Sequence, residues 1–301
     1  MSHAAGLAGI AIDVDSVATH LAGYGVHDCA DTSSSYQIAI PRALALLEGL
    51  GAKATFFLVA AEASREPDAV RRIVAAGHEV GCHSMTHTLP FDVSTPEAAH
   101  RELLEARDLL GSLAGEPVEG FRAPSWGVAR GLLEGLRAAG YRYDASAFPS
   151  WMLALVRLAV ARRGAPDAPA PKTHLANLLL ARAAPHALRD PRGDLAEVPV
   201  STVPLLRVPC YHTLGLLLPP WAFRALLAGV RLRRGSLSYT LHAADFLDTD
   251  ADGLDPRIRR HPGMDLPLAR KLPVVKDALA ALGRGRSLVP LRTIAREVLA
   301  R

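Results

Sequence analysis

The 301 residues carry a formal net charge of +4, half are apolar and only 5% aromatic, which excludes a disordered chain and leaves room for one large α/β domain or two ordinary ones. The charge is mild. Arginines cluster at Arg162-Arg163 and from Arg231 to Arg234, but no aromatic-interleaved basic stripe accompanies them, which argues against a nucleic-acid partner and for an anionic surface or substrate. Cys29, Cys82 and Cys210 are widely spaced and form no CxxC, so they read as reduced thiols, with Cys82 a small packing residue. Met1 to Gly9 shows neither the basic nor the long apolar region of a secretory signal, and a cytoplasmic location is expected.

In chain order, Leu7 to Val14 is an apolar run ended by two carboxylates, Asp13 and Asp15, as in a buried strand that delivers acids at its C-terminal end. Side chains alternate along a strand, so the two acids share a face and can divide the labour, one on a metal and one beside it as a base. Taken alone, a D-x-D is more often a turn cap. A polar loop runs to Ser35. Ile40 to Leu50 then reads as a helix with Pro41 in its first turn and Gly51 at its end. Ala54 to Ala60 is a second strand, Pro67 to Ala76 a helix stopped by Gly77, and His78 to Cys82 a third strand.

The third strand runs into His83-Ser84-Met85-Thr86-His87, whose two imidazoles, four residues apart, can close on one zinc-like ion. In a chain with twelve histidines such a pair alone is weak evidence, and the bland reading is a solvated turn. Thr95-Pro96-Glu97 opens a helix to about Leu113, with Thr as N-cap and Pro at the first position. Gly120 to Pro124 is strand-like, Arg130 to Ala139 helical, and Tyr141 to Ser146 another strand. Repeated βα units of this length imply a parallel sheet, open or closed into a barrel, with functional groups at the carboxyl ends of the strands. Asp13, Asp15, His83, Arg122 and Asp144 all fall there, and this joint placement favours a site over unrelated caps and surface ion pairs. His27, His78, His100 and His212 receive no role.

Five short motifs resemble those of the polysaccharide deacetylase, or NodB-homology, family of metal-dependent amide hydrolases. Ile12-Asp13-Val14-Asp15, with Gly23-Tyr24-Gly25 after it, is similar to the D-x-D branch of the first motif; His83 to His87 matches H-S/T-x-x-H; Arg122-Ala123-Pro124, followed by Ser125-Trp126, matches R-x-P. Asp144 matches the Asp of D-x-x-x-W, with Phe148 where Trp is usual, and Thr240-Leu241-His242 meets L-x-H with Thr in the Leu position. The resemblance covers Gly9 to Ser146 and Ser236 to Leu291. It implies one catalytic domain over 1–301, a distorted (β/α) barrel of about seven parallel strands. It also implies a divalent metal on Asp15, His83 and His87, zinc before cobalt, nickel or manganese. Asp13 would be the general base and His242 the general acid. Arg122 would hold Asp13, Asp144 would orient His242, the backbone N–H of Ser125 would face the oxyanion, and Trp126 would stand beside the substrate. Phe148 and Thr240 put the walls of the acyl pocket in question more than the chemistry.

The residues agree with this on their own chemistry. Two neutral imidazoles and one carboxylate leave open positions on an ion, and an imidazole suits proton delivery to a leaving amine near neutral pH. The stretch 147–235 lies outside the family core and reads as an apolar, Arg-flanked helical insertion. Trp151 to Val160 and His174 to about Ala184 are Leu- or Ala-rich, joined by a Pro/Ala linker from Ala165 to Pro171, and Leu214 to Leu232 is interrupted by Pro219-Pro220. No run is long enough to span a bilayer, so the insertion is either a lid or a contact with a membrane interface. The lipid-linked aminoarabinose deformylases of the same superfamily look similar in their R-I-D-V-D first motif and apolar insert. The expected function is therefore metal-dependent N-deacetylation or N-deformylation of an acylated amino sugar, lipid-linked. Peripheral contact with the inner face of the cell membrane is expected, with no obligate protein partner and no nucleic acid. The alternatives are an allantoinase-like hydrolase of a small non-glycan amide and a non-catalytic glycan- or lipid-binding module.

Overall fold

The computed structural model describes residues 6–87, 96–127, 131–155 and 181–301. Strand β1 (Gly6–Val14) is the spine of the sheet, buried on both faces from Ala8 onward. Its Ile10, Ile12 and Val14 face the larger core under the helices, whereas Ala11 joins a second cluster on the opposite face, the face that also carries Asp13. Parallel ladders join β1 to β2 (Thr55–Leu58) from Ala11 to Val14 and to β8 (Leu237–His242) from Ala8 to Asp13; β9 (Arg286–Val289) pairs its first residues.

Across the sheet the order is β6 (His186–Leu188), β7 (Leu195–Glu197), β5 (Tyr143–Asp144), β4 (Gly120–Phe121), β3 (Glu79–Cys82), β2, β1, β8. Only the β6–β7 pair is antiparallel. Among the described residues β6 and β8 do not meet, so the sheet is an open half-barrel of nine strands. All the parallel strands deliver their carboxyl ends to one edge.

The five strands read from the sequence are present as β1 to β5, although β4 and β5 shrink to two residues each. Helices α2 (Ile40–Gly49), α4 (Pro67–Ala75), α5 (Pro96–Ala114) and α6 (Leu132–Ala138) also stand where expected. A π-helical turn, Ser35–Ala39, extends α2 backwards into what reads as loop. Two short helices escape periodicity: α1 (Val17–Ala22), capped by the Ser16 hydroxyl accepting from Thr19 N–H at 3.1 Å, and α3 (Ala60–Ala63). The expected cap at Thr95, the linker from Ala165 to Pro171, and most of the two helices flanking that linker lie outside the described residues.

The stretch 147–235 is not set apart from the sheet. β6 and β7 lie inside it, and β7 pairs with β5 as an interior strand of three residues, too short to show a period. The Leu-rich run Leu214 to Leu232 forms α7 (His212–Leu217) and α8 (Pro220–Arg231), broken at Pro219-Pro220, with Phe223, Leu226, Leu227 and Val230 turned into the core.

On the face that carries Asp13, the C-terminal helix α10 (Leu291–Leu299) fills the N-terminal half of the half-barrel; between Gly283 and β9 the chain turns back from α9 (Leu268–Gly283). Gly9 makes room for it, because a Cβ there would lie 2.5 Å from Leu291 Cδ2. Buried Glu79 ties the junction together. It accepts from Tyr143 Oη at 3.0 Å, from Arg292 N–H at 3.0 Å and from Thr55 Oγ1, while Thr55 Oγ1 accepts from Leu291 N–H at 2.8 Å. Burial outweighs these bonds and pushes the Glu79 carboxyl up to about 7.

A carboxyl whose folded pKa is raised binds its proton more tightly in the native chain than in the unfolded one. Its contribution is fully present below the unfolded value near 4.5 and is lost as pH rises through about 7. Replacing Glu79→Gln removes that titration. In denaturant unfolding, the stability of the variant relative to the wild-type chain should improve by up to about 3 kcal/mol between pH 4.5 and 8, at about 1.4 kcal/mol per pH unit. A pH-independent difference would contradict this assignment.

Candidate metal centre

Asp13 and Asp15 leave the end of β1 buried, 3% and 5% exposed, yet they have different neighbours. Arg122, one residue past β4, donates from Nη1 to Asp13 Oδ1 at 2.6 Å and from Nε to the Ala145 carbonyl at 3.1 Å. Its guanidinium lies between the Phe57 and Trp126 rings, 4.4 and 4.8 Å from their centroids. The other Asp13 oxygen, Oδ2, is 3.9 Å from His242 Nε2 at the end of β8.

Asp15 faces imidazoles. Its Oδ1 is 3.4 Å from Nε2 of both His83 and His87, and these three donor atoms lie within 4.8 Å of one another. The histidines are not carried on a helix. They bracket a turn in which Ser84 and His87 adopt left-handed φ of 69° and 57°, with His87 N–H bonded to Ser84 Oγ at 3.0 Å. The Ser84 and Met85 carbonyls accept from Ala60 and Ala61 at the start of α3.

His83 Nδ1 sits 2.7 Å from the Arg122 carbonyl; donating there fixes the tautomer and leaves Nε2 lone-paired toward Asp15. Burial, against the pull of Asp15, pushes the His87 imidazole down to about 4, so near neutral pH it is in the ligand form. Burial alone would raise the Asp15 carboxyl, but His87, His83, His20 and His242 around it draw it below the usual carboxylate range. Asp15 Oδ1 is buried and accepts no hydrogen bond among the described residues. An orphaned buried carboxylate oxygen facing two lone-paired nitrogens is a donor set that a divalent cation completes, and the residues fit such an ion.

The loop that follows Asp15 is held from below. Glu62 on α3 accepts from Ser16 Oγ and Thr19 Oγ1, both at 2.6 Å, and from Ser16 N–H at 3.2 Å, while Ser35 Oγ donates to the Asp15 carbonyl at 2.6 Å. These anchors carry no sequence motif.

Two histidines not singled out from the sequence stand beside the expected set. His20 on α1 places Nε2 3.9 Å from Asp15 Oδ2, and His261 packs against the His20 ring at 4.4 Å between centroids. His20 is legible only once α1 is recognised, and His261 follows a 3-10 turn, Pro256–Arg260, that has no period.

Asp144 does not take its expected place. It accepts from Ser146 N–H at 3.2 Å and from Ser146 Oγ, and it pairs with Glu197 of β7; among the described residues no hydrogen bond or ion pair joins it to His242. Adjacency of β5 and β7 turns it that way. Burial raises both carboxyls, Asp144 to about 6 and Glu197 well above its usual value. The carboxylate nearest the His242 imidazole in the described ion pairs is Asp13, while Asp245 accepts the His242 backbone N–H at 2.8 Å. Ser125 and Trp126 form a 3-10 turn just beyond Arg122 with φ of 49° and 59°, two consecutive left-handed non-glycine residues beside the site. Trp126 also packs on Phe148 at 5.2 Å, and Phe148 on Tyr211 at 5.7 Å.

Comparison with known proteins bears on this arrangement at two levels. Residues 31–143 match the family model described as polysaccharide deacetylase. A peptidoglycan deacetylase from Helicobacter pylori is 32% identical over 139 residues, which are 45% of this chain and 47% of that protein. The chain thus spans about half the length of this curated relative. Among solved structures, a Mycobacterium smegmatis protein assigned as a polysaccharide deacetylase superposes with TM-score 0.64 at 18% identity, covering 100% of this chain and 93% of the other. Puue allantoinase superposes with TM-score 0.61 at 15% identity, covering 98% and 90%. At these identities the structures speak for the fold alone. Over residues 31–143 the chain is thus similar in sequence to the polysaccharide deacetylase family.

Proposed function

We propose that the chain is a metal-dependent amide hydrolase that removes an acetyl or formyl group from an acylated amino sugar. The observation that carries this reading is the pairing of two differently dressed carboxylates on one strand end: Asp15 among imidazole nitrogens, Asp13 on a guanidinium and next to His242. The named activity of the Helicobacter pylori relative, a peptidoglycan deacetylase, supports the substrate class.

Asp15, His83 and His87 would hold a divalent ion, zinc being the first candidate for a set of two imidazoles and one carboxylate. When bound, the ion supplies Lewis-acid polarisation of the amide carbonyl. Asp13 takes the proton from the attacking water: Arg122 occupies Oδ1 and leaves Oδ2 for that proton. His242, 3.9 Å away across the same oxygen, delivers a proton to the leaving amine. Arg122 fixes the base, and its own plane is fixed by Phe57 and Trp126. In the left-handed turn at Ser125 and Trp126, where the Trp126 N–H donates to the Ala123 carbonyl at 3.1 Å, the Ser125 backbone N–H would face the developing oxyanion. Asp144 with Glu197 supports β5 and β7 behind Arg122 and has no proton-transfer role in this scheme.

The finer reading is that the sugar is lipid-linked and that the chain works at the inner face of a cell membrane. No helix among the described residues is long and apolar enough to cross a membrane, so the contact proposed is peripheral. The buried Asp–His–His donor set weighs against a non-catalytic binding module, and no residue of the site specifically favours a small non-glycan amide.

Two variant classes separate the proposed roles. His83→Ala should abolish both bound metal and release of acetate or formate, with metal content read by elemental analysis. Asp13→Asn and His242→Ala should keep one metal per chain and lower turnover by about 10²- to 10⁴-fold, the span of a lost acid or base. Loss of metal in the Asp13 or His242 variants, or full turnover without it, would reverse the assignment. For the lipid-linked reading, cells carrying His83→Ala should accumulate a lipid heavier by one acyl group in mass spectra; an unchanged lipid profile would remove the lipid and leave hydrolysis of another amide.

A further inference from the structure

Among the described residues the seven large apolar side chains that stand exposed all fall between Trp151 and Leu232. Four of them, Trp151, Leu205, Leu206 and Leu232, lie together. A turn closed by the Thr202–Pro209 bridge carries Leu205, 100% exposed, and Leu206, 66% exposed, at its tip. Trp151 Nε1 donates to the Leu206 carbonyl at 3.0 Å, which holds a half-exposed indole against that tip. Leu232, at the end of α8, borders the same shallow depression as Leu205, together with Arg207, Arg233 and Arg234.

The backbone of the tip is strained to keep this shape. Leu205 and Arg207 hold left-handed φ of 64° and 52°, a region that Gly or Asn would occupy more easily. A fully exposed leucine gains no packing inside the chain in return.

The charge around it is also unbalanced. Among the described residues Arg257, Arg259, Arg292 and Arg296 each meet a carboxylate, whereas Arg65, Arg72, Arg142 and Arg270 stand without one elsewhere, apart from one another in the sequence; Arg207, Arg231, Arg233, Arg234 and Arg286 also meet none. Four of these donate to neutral oxygens instead, Arg207 to Ala181, Arg233 to Thr202, Arg231 to Arg284 and Arg286 to Arg233. Burial and the neighbouring Arg207 charge push the Arg233 guanidinium below its usual pKa, as uncompensated cations do.

Apolar tips between unpaired arginines complement one kind of surface, an interface with apolar depth and anionic headgroups. We propose that the Leu205-Leu206 tip, with Trp151 and Arg207, Arg233 and Arg234 around it, docks on a bilayer rich in anionic lipid. The leucines enter the headgroup–acyl boundary, the indole lies at headgroup level, and the arginines meet phosphate. The proposal rests on the lipid-linked reading of the substrate and names the surface that brings the chain to it.

The test is sedimentation of the full chain with phosphatidylcholine vesicles, with and without phosphatidylglycerol, at low and high salt. Wild-type chain should bind only the anionic vesicles, and less at high salt. Leu205→Asp with Leu206→Asp should weaken binding by about tenfold or more per leucine, the scale of a lost buried aliphatic chain. Arg234→Gln should weaken it by about fivefold. Both variants should keep the wild-type Tm and full turnover of a water-soluble acylated amino sugar. Equal binding of variants and wild type, or no preference for phosphatidylglycerol, overturns the proposal. So does a self-association, seen in velocity sedimentation, that the double substitution abolishes. Vesicle binding that persists where no amide is hydrolysed would instead overturn the functional reading and leave the docking face standing.

Discussion

Arg122 is the residue on which the geometry of the centre depends. Its side chain, 1% exposed, grips Asp13, while its carbonyl accepts from His83, so one residue sets both the base and the tautomer of a metal ligand. A buried guanidinium tolerates no loss of partner: leaving either charge of such a pair alone costs about 3–5 kcal/mol. The chain adds further contacts on each side of it, Ala145 through the carbonyl and Phe57 with Trp126 through their rings. The arginine is thereby fixed in the plane that a bidentate or stacked partner needs, which a lysine at the same place would not be.

Charge balance explains why the two aspartates of one strand end cannot exchange roles. Asp13 has its counter-charge supplied by the fold itself. Asp15 has no guanidinium or ammonium partner among the described residues; it faces imidazoles, of which burial holds His87 down to about 4 and His20 below its usual value. Near neutral pH a buried carboxylate so placed is completed by a cation. The neighbouring acid pair answers burial differently, since burial raises both the Asp144 and Glu197 carboxyls and so favours their neutral forms.

Much of this is legible in the sequence because it rests on the strand period and on chain order. β1 to β3 have enough alternating or continuous apolar residues to be read, and a parallel sheet then forces their carboxyl ends together, which is how Asp13, Asp15 and His83 meet. What escapes is shorter or more distant. β7 has three residues and α1 six, below the length at which a period can be seen, and they hide Glu197 and His20. Motif analogy assigns Asp144 to His242, but which neighbour a strand-end side chain meets depends on the adjacent strand, and β7 is unreadable in the sequence. The left-handed turn between His83 and His87 is equally invisible: Ser84 and His87 do not announce a positive φ as glycine does.

The aromatic wall carries a consequence for selectivity in the proposed reaction. Trp126, Phe148 and Tyr211 pack at 5.2 and 5.7 Å on one side of the guanidinium, and the Phe148 ring between them offers no hydrogen-bond donor. If the acyl group of the substrate lies on this wall, formyl and acetyl differ there by one methyl. Apolar surface distinguishes such a pair by only about 1–3 kcal/mol, roughly 10- to 200-fold, whereas a missing hydrogen bond would cost far more. In the proposed reaction, strong selection would have to come from polar contacts elsewhere in the site and not from this apolar wall.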